Sequence, residues 1–184
     1  MKVIGISGSL RKGSFNSAAL RAAQALAPEG TTIERAEIGD LPLYNEDVKA
    51  AGFPPPAERL RSQLAAADAI LLVTPEYNYS VSGVLKNAID WASRPPNQPF
   101  DGKPVAIMGA SPGLFGTARA QYHLRQMMVF LNAFIVNRPE VMIGQAASKF
   151  DESGNLTDEQ TREFIRKLLV ALRDWTERLK KGAA

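Results

Sequence analysis

The sequence predicts an α/β fold in which a five-stranded parallel sheet lies between two layers of helices. Strand-like apolar segments alternate with helical patterns along the whole chain. The segment 69–74 reads Ala-Ile-Leu-Leu-Val-Thr and is followed by Pro75, a pattern typical of a central parallel strand that is covered on both faces. A length of 184 residues suits one domain with a full hydrophobic core. We therefore expect a single domain that spans residues 1–184.

Five strands and five helices are predicted in alternation from apolar periodicity and from Gly and Pro breaks. The strands are 2–7, 31–38, 69–74, 104–108 and a fifth made of 134–136 and 141–143, interrupted at Pro139. The first four helices are 16–27, 58–67, 81–92 and 118–132, and segment 39–56 is a long loop. The last helix begins with a capping box, Thr157 to Gln160.

The composition excludes several kinds of chemistry. The chain has no cysteine and a single histidine, His123, so disulfides, thiolate nucleophiles, iron–sulfur clusters and multi-histidine metal sites are excluded. Any redox chemistry must use a bound organic cofactor. The net charge is +3, and the densest basic cluster is Arg178, Lys180 and Lys181. We interpret this cluster as a solvated helix end and expect no nucleic-acid partner.

No segment of the sequence is apolar for long enough to span a bilayer. Residues 1–5 lead directly into a strand pattern and lack the features of a signal peptide. We therefore expect no membrane association and a cytoplasmic location.

The loop after the first strand, residues 8–17, precedes a helix. Ligands of parallel sheets bind at the carboxyl ends of the strands, and a helix N-terminus suits a phosphate group. Ser9, Ser14 and Asn16 offer neutral donors, and Arg11 offers a charge-assisted contact. The nucleoside-triphosphate and dinucleotide signatures are absent from this loop. It is therefore either a cup for one terminal phosphate or a polar turn in which Ser14 or Asn16 caps the helix.

The loop after the third strand reads Pro75-Glu76-Tyr77-Asn78-Tyr79-Ser80. A tight polar and aromatic turn at this position can lay main-chain N–H and C=O groups along a flat heterocycle. The alternative is a proline-initiated turn whose tyrosines pack locally.

The loop after the fourth strand, residues 109–116, contains three glycines that permit close approach of the main chain to a ligand. It also matches the G-x-S-x-G pattern of serine hydrolases, with Ser111 as the nucleophile. That pattern needs a downstream acid and then a histidine, but no acidic residue lies between Ser111 and His123. We therefore favour a ligand-contacting loop and expect neither side chain to act as acid, base or nucleophile.

Together the three loops resemble the NADPH-dependent FMN reductase family, the flavodoxin-like group that includes bacterial quinone and chromate reductases. The similarity covers most of the chain. The motifs that carry it are Gly8-Ser9-Leu10-Arg11 with Ser14 and Asn16, Leu41-Pro42-Leu43-Tyr44-Asn45, Pro75-Glu76-Tyr77-Asn78, Gly83 with Leu85-Lys86-Asn87-Ala88 and Asp90-Trp91, and Gly116 with Arg119 and Gln121.

The resemblance implies a flavodoxin-like three-layer sandwich that binds FMN. It implies that the FMN phosphate is held by Ser9, Arg11, Ser14, Phe15, Asn16 and Ser17. It also implies that Pro75, Glu76, Tyr77 and Asn78 line the isoalloxazine and ribityl groups and that Ser111 closes the other side. NADPH or NADH would reduce the flavin, and a quinone, free flavin or chromate would accept the electrons.

Two other functions remain open at this stage. A flavodoxin-type carrier would bind FMN without its own NAD(P)H activity, although flavodoxins are typically acidic and this chain is basic. A flavin- or nucleotide-binding regulatory module would show no turnover. Members of the resembled family are commonly homodimers or homotetramers. Segment 127–131, Met-Met-Val-Phe-Leu, is apolar around the whole helix circumference and independently predicts burial on more than one side.

Overall fold

The computed structural model describes residues 1–182. The strands are β1 (Lys2–Ser7), β2 (Thr32–Ala36), β3 (Ala69–Val73), β4 (Glu76–Tyr77), β5 (Ser80–Val81), β6 (Pro104–Ala110), β7 (Phe134–Ile135) and β8 (Val141–Ile143). The helices are α1 (Phe15–Ala25), α2 (Glu46–Ala50), α3 (Pro55–Ala65), α4 (Gly83–Ala92), α5 (Ala118–Phe130) and α6 (Glu159–Gly182), with a single 3₁₀ turn at Ala146–Ser148.

The main sheet has the strand order β2-β1-β3-β6-β7, and β8 also pairs with β6. All of its strand pairs are parallel. The predicted five-stranded parallel sheet is therefore confirmed, with a fifth strand split into β7 and β8 on either side of Pro139. The strand order reverses between β1 and β3, and the crevice outside the carboxyl ends of these strands is where flavodoxin-like sheets bind ligands.

Apolar side chains cover both faces of this sheet. One core joins the sheet to α1 and α6 and contains Val3, Leu71 and Met108. The other joins it to α3, α4 and α5 and contains residues such as Ile4 and Ile107. Successive strand residues alternate between the two cores, as the period of two requires. This three-layer packing fixes the ends of β1, β3 and β6 relative to one another.

Several element boundaries differ from the predicted ones. The segment predicted as a long loop, 39–56, contains the short helix α2, whose start is capped by the Asn45 side chain. Helix α4 begins at Gly83 rather than at residue 81, because the Ser82 hydroxyl accepts from the Leu85 N–H. Strand β6 continues to Ala110, two residues beyond the predicted end.

The predicted capping box at the start of α6 is wrong. Asp158 caps the helix instead: its Oδ1 accepts from the Thr161 N–H at 2.9 Å and from the Thr161 hydroxyl. The Thr157 hydroxyl instead donates to the Lys149 carbonyl at 3.2 Å. The hydrogen bonds from Thr161 lower the pKa of the Asp158 carboxyl below its usual value.

The basic C-terminal cluster has partners within the chain. Lys180 Nζ lies 2.6 Å from the Asp68 carboxylate, and the Arg178 guanidinium lies 5.9 Å from the centre of the Trp175 ring. These contacts agree with the interpretation of this cluster as a solvated helix end. Within residues 1–182, no helix is both long enough and apolar enough to cross a membrane.

Asp158→Ala should lower the free energy of unfolding by about 1 kcal/mol at pH 7, as expected for loss of an N-cap. Because the pKa of Asp158 is lowered in the folded state, this stabilisation is full above the ordinary aspartate pKa of about 3.9 and is lost as the pH falls through the lower folded value. Urea denaturation at several pH values measures the difference. Glu152→Ala, at an exposed position, is the control. A difference that stayed constant down to the lowest pH would contradict this account.

Candidate functional site

A cleft of about 430 Å³ opens at the carboxyl edge of the sheet, where the loops after β1, β3 and β6 meet. This volume falls within the range of roughly 300–1,000 Å³ typical of ligand pockets. Nine of the eleven residues predicted from the sequence line it. The lining consists of Ser9, Arg11, Ser14, Phe15, Asn16, Pro75, Glu76, Tyr77 and Ser111, with Ala110 and Pro112 in addition.

The N-terminus of α1 forms one end of the cleft. Ser14 caps this helix, since its Oγ accepts from the N–H groups of Asn16 and Ser17, both at 3.2 Å. The Phe15 N–H, in contrast, has no acceptor in the described part of the chain. The hydroxyl proton of Ser14 also stays available, so the capping role of Ser14 is compatible with donation to a ligand.

The Arg11 guanidinium places a positive charge at this end of the cleft. The exposed Arg11 side chain curls over its own loop, where Nη2 donates to the Gly13 carbonyl at 2.5 Å, and its guanidinium lies 5.7 Å from the Phe15 ring centre. The buried Ser9 hydroxyl accepts weakly from the Arg11 N–H at 3.4 Å. A helix N-terminus, two hydroxyls and a guanidinium form a donor set suited to an anion.

Asn16 and Ser17 point into the protein. The Asn16 side chain is hydrogen-bonded to both main-chain groups of Ala110: Nδ2 donates to the carbonyl at 2.9 Å, and Oδ1 accepts from the N–H at 2.8 Å. Ser17 Oγ lies 3.0 Å from Ser7 Oγ, and Ser17 does not line the cleft. The sequence did not predict Ala110 or Ser7 as hydrogen-bond partners, because nothing in the pattern around Asn16 and Ser17 indicates them.

The second loop is a β-hairpin formed by β4 and β5. Its two turn residues, Asn78 and Tyr79, have φ values of 50° and 64°, as a type I′ turn requires. Asn78 therefore sits at the hairpin tip and does not line the cleft, contrary to its predicted position. Asparagine is favoured there because it tolerates the left-handed conformation.

The carboxylate of Glu76 is directed at the start of α5. Oε2 accepts from the N–H groups of Arg119 and Ala120 at 3.0 and 3.2 Å, and Oε1 lies 3.1 Å from Arg119 Nη1. The same guanidinium packs on the rings of Tyr79 and Phe115, at 4.0 and 4.6 Å from their centres. Glu76 thus accepts from otherwise unpaired N–H groups at the N-terminus of α5 and connects the hairpin to that helix. The same residue also borders the cleft.

Two glycines of the third loop are required by packing within the protein. A Cβ on Gly109 would lie 2.0 Å from Thr117 Oγ1 and 2.3 Å from the Thr74 carbonyl oxygen. Gly116 has a φ of +53°, and a Cβ there would lie 2.4 Å from the Met142 carbonyl carbon. At Gly113, a Cβ would meet nothing closer than 3.9 Å. Of the three glycines, only Gly113 has the open surroundings expected of a position beside a ligand.

Ser111 and His123 are not hydrogen-bonded to each other. Ser111 Oγ donates to the Gly113 carbonyl at 3.3 Å. His123 Nδ1 instead lies 2.9 Å from Ser80 Oγ in the hairpin. This arrangement lacks the nucleophile–base contact of a serine hydrolase, in agreement with the rejection of that function from the sequence.

A second groove of about 440 Å³ lies between α3 and the segment after α4. Its cation, Arg61, is already engaged: Nη1 donates to the carbonyls of Ala92 and Arg94 at 2.7 and 2.6 Å, and the guanidinium stacks on Phe53 at 4.2 Å. The groove therefore offers few free donors to an anionic ligand. The cleft at the carboxyl edge of the sheet is the better candidate site.

Glu76→Ala should lower the free energy of unfolding by about 1–3 kcal/mol, because it leaves the N–H groups at the start of α5 and the Arg119 guanidinium without their acceptor. Thermal or urea denaturation measures the loss. Asp90→Ala, which removes a partly exposed carboxylate paired with Lys86 at i,i+4, should change stability by no more than about 0.5 kcal/mol. Equal effects of the two substitutions would show that Glu76 does not anchor α5.

The similarity to known proteins agrees with this geometry. Residues 1–148 match the model of the NADPH-dependent FMN reductase family. An NAD(P)H-dependent FMN reductase of Pseudomonas aeruginosa is 63% identical over 98% of this chain and 97% of its own length, and a quinone reductase of Escherichia coli is 46% identical over 98% and 97%. The solved structure of FerB, a flavoenzyme NAD(P)H:(acceptor) oxidoreductase of Paracoccus denitrificans, has a TM-score of 0.87 and 40% identity and covers 96% of this chain and 97% of its own. The chain therefore belongs to the NADPH-dependent FMN reductase family.

Proposed function

We propose that the 184-residue chain is a single FMN-binding domain, that FMN occupies the cleft at the carboxyl edge of the sheet, and that electrons pass through it from NAD(P)H to quinones. Membership of the family makes the chain an FMN-dependent NAD(P)H oxidoreductase. The observation that carries the assignment of the cleft is its donor set at the start of α1, where Phe15 N–H, two hydroxyls and Arg11 converge.

The residues of this cleft fit FMN chemically. A terminal phosphate monoester needs several donors and little competing negative charge. Ser9, Ser14, Phe15 N–H and Arg11 supply the donors. The carboxylate among the lining side chains, that of Glu76, is occupied by Arg119 and the start of α5.

Each loop has a separate task in this proposal. The first loop binds the phosphate, and the hydrogen bond between Ser17 and Ser7 holds the start of α1 against the end of β1. Pro75, Glu76 and Tyr77 border the ring and ribityl chain on one side, and Ser111 with its neighbours borders them on the other. When bound, FMN would accept a hydride from NAD(P)H and pass the electrons to the acceptor. The half-exposed Tyr77 and the hairpin tip at Asn78 contact the substrates at the mouth of the cleft.

The class of acceptor is inferred from the relatives. The Escherichia coli protein is named a quinone reductase, and FerB is named for a general acceptor. We propose quinones as the main acceptors, with free flavin and chromate as further candidates. The net charge of +3 favours the approach of anionic substrates such as NADPH and chromate.

The purified chain, loaded with FMN, should oxidise NAD(P)H continuously when a soluble quinone is present. The absorbance of NADPH and of NADH at several quinone concentrations measures the rate, and free FMN without protein is the control. No reaction of the bound flavin with either nicotinamide would overturn the proposed activity. A carrier would then still pass electrons to the quinone after chemical reduction of its flavin, whereas a regulatory binding module would show no turnover with any donor. Reduction of the bound flavin by NAD(P)H without transfer to the quinone would overturn the proposed acceptor.

Cofactor released from the purified chain should be FMN and not FAD, because the cleft holds donors for one terminal phosphate. Arg11→Ala should weaken FMN binding by about 1.5–3 kcal/mol, the usual contribution of a hydrogen bond to a charged group. Quenching of flavin fluorescence measures the affinity. Lys12→Ala, at the adjacent exposed position outside the cleft, is the matched control. Equal affinities of the Arg11 and Lys12 variants would contradict a phosphate contact by Arg11.

A homodimer or homotetramer is the proposed assembly. In segment 127–131, predicted to be buried on several sides, Met128 and Leu131 lie in the core, but Val129 and Phe130 are 78% and 86% exposed. Exposed aromatic and aliphatic side chains that lie side by side favour a protein interface.

Phe130→Glu should therefore reduce the solution mass measured by light scattering toward the 20.0 kDa of one chain, since a charge would be placed in the apolar contact. Val170→Glu, at a less exposed apolar position on α6, should leave the mass unchanged. Wild-type protein that is monomeric at micromolar concentration would exclude this assembly.

A cytoplasmic location is proposed on the basis of the electron donor. NAD(P)H is supplied inside the cell, and the chain contains no cysteine that an oxidising compartment would pair.

A further inference from the structure

We propose that Asn16 is a positioning residue that holds the two walls of the cleft at a fixed separation, and that its amide does not bind the FMN phosphate. This inference rests on the proposed function of the cleft. It assigns to Asn16 a role different from the one that the motif of the first loop implies.

The amide group of Asn16 replaces a missing strand neighbour. The pairing of β3 with β6 ends at Val73 and Met108, whereas β6 itself continues to Ala110. On its other side, β6 pairs with β8, and Ser111 N–H donates to the Ile143 carbonyl. In a parallel sheet the N–H and C=O of one residue point to the same side. The N–H and C=O of Ala110 therefore point toward the β3 side, beyond the last residue of β3 that pairs with β6. Asn16 Oδ1 accepts from this N–H, and Asn16 Nδ2 donates to this carbonyl.

These two hydrogen bonds join parts of the chain that are distant in sequence. Asn16 and Ala110 are 94 residues apart, and the Asn16 side chain is buried, with 4% exposure. Asn16 belongs to the phosphate end of the cleft, while Ala110 begins the wall formed by Ala110, Ser111 and Pro112. The link therefore fixes the wall beside the flavin ring relative to the donors at the start of α1.

Most hydrogen-bonding groups of Asn16 already have partners within the protein and are not available to a phosphate. Its side chain has two N–H donors and one carbonyl oxygen, and Ala110 uses one donor and the oxygen. Its main-chain N–H is bound to Ser14 Oγ. One Asn16 N–H stays uncommitted, but the Phe15 N–H, the protons of the Ser9 and Ser14 hydroxyls and the Arg11 guanidinium already supply the donors at this end of the cleft.

The two roles predict different selectivity between FMN and riboflavin, which lacks the phosphate. Loss of a phosphate ligand weakens FMN binding and leaves riboflavin binding nearly unchanged. Loss of a residue that positions the walls weakens the binding of both flavins by a similar factor. Arg11→Ala provides the reference for loss of a phosphate contact.

The test measures dissociation constants of FMN and riboflavin for the wild type, Asn16→Ala, the milder Asn16→Ser and Arg11→Ala by fluorescence quenching. Both Asn16 variants should raise both constants. A rise of about tenfold for Asn16→Ala corresponds to a cleft whose walls keep the binding-competent separation in about a tenth of the molecules. Thr176→Val is the control for a buried hydrogen bond far from the cleft and should change neither constant. A rise for FMN alone, or no rise for either flavin, in the Asn16 variants would overturn the inference.

Amide hydrogen exchange in the flavin-free wild type provides a readout that needs no variant. The Ala110 N–H should be protected before any flavin is added, because its acceptor is Asn16 Oδ1. Rapid exchange of this amide would overturn the inference even if the variants failed to fold. A wild type that bound neither flavin but protected Ala110 would instead refute the proposed function and leave the structural link intact.

Discussion

The hydrogen bonds between the Asn16 amide and the main chain of Ala110 join the two sides of a cleft that the sheet alone does not close. Parallel strands bring their carboxyl ends to one edge, but the loops that follow are set only by their own contacts. Here those contacts are made by buried or partly buried polar side chains that each bind the main chain of a different element. Ser82 Oγ donates to the Gly8 carbonyl at 2.6 Å, and Glu76 binds the N–H groups that open α5. Such bonds are costly to break in a buried setting, so the cleft is organised by the apoprotein.

The same contacts set the charge of the cleft. Glu76 would repel a phosphate if its carboxylate were free, but Arg119 and the start of α5 take up its negative charge. Arg11, by contrast, is exposed, and its guanidinium is hydrogen-bonded only to a carbonyl of its own loop, so it can turn toward an incoming anion at little cost. Positive charge at the start of α1 is therefore available to the ligand, while negative charge at the neighbouring hairpin is neutralised internally.

The sequence predicted the features that depend on local pattern. The apolar run of β3, a helix start near Ser14 or Asn16 and the position of three loops at the carboxyl edge of the sheet follow from periodicity and from residues with strong turn or cap preferences. Features that depend on distant partners were missed. Asn16 follows a serine-rich loop and looks like one more phosphate donor, because its partner Ala110 lies 94 residues away. Thr157 and Asp158 are both good N-caps, and the local pattern does not distinguish them. In the structure Asp158 accepts from Thr161, while the Thr157 hydroxyl donates to the Lys149 carbonyl.

The proposed binding mode places the FMN phosphate at the start of α1 and the ring between the hairpin and the loop after β6. A crystal structure of the FMN-loaded protein would measure this. We expect the phosphate within hydrogen-bond distance of the Phe15 N–H and of the Ser9 and Ser14 hydroxyls, with the ring between the Pro75–Tyr77 segment and Ser111. A flavin seated elsewhere, or a phosphate bound away from the start of α1, would contradict it.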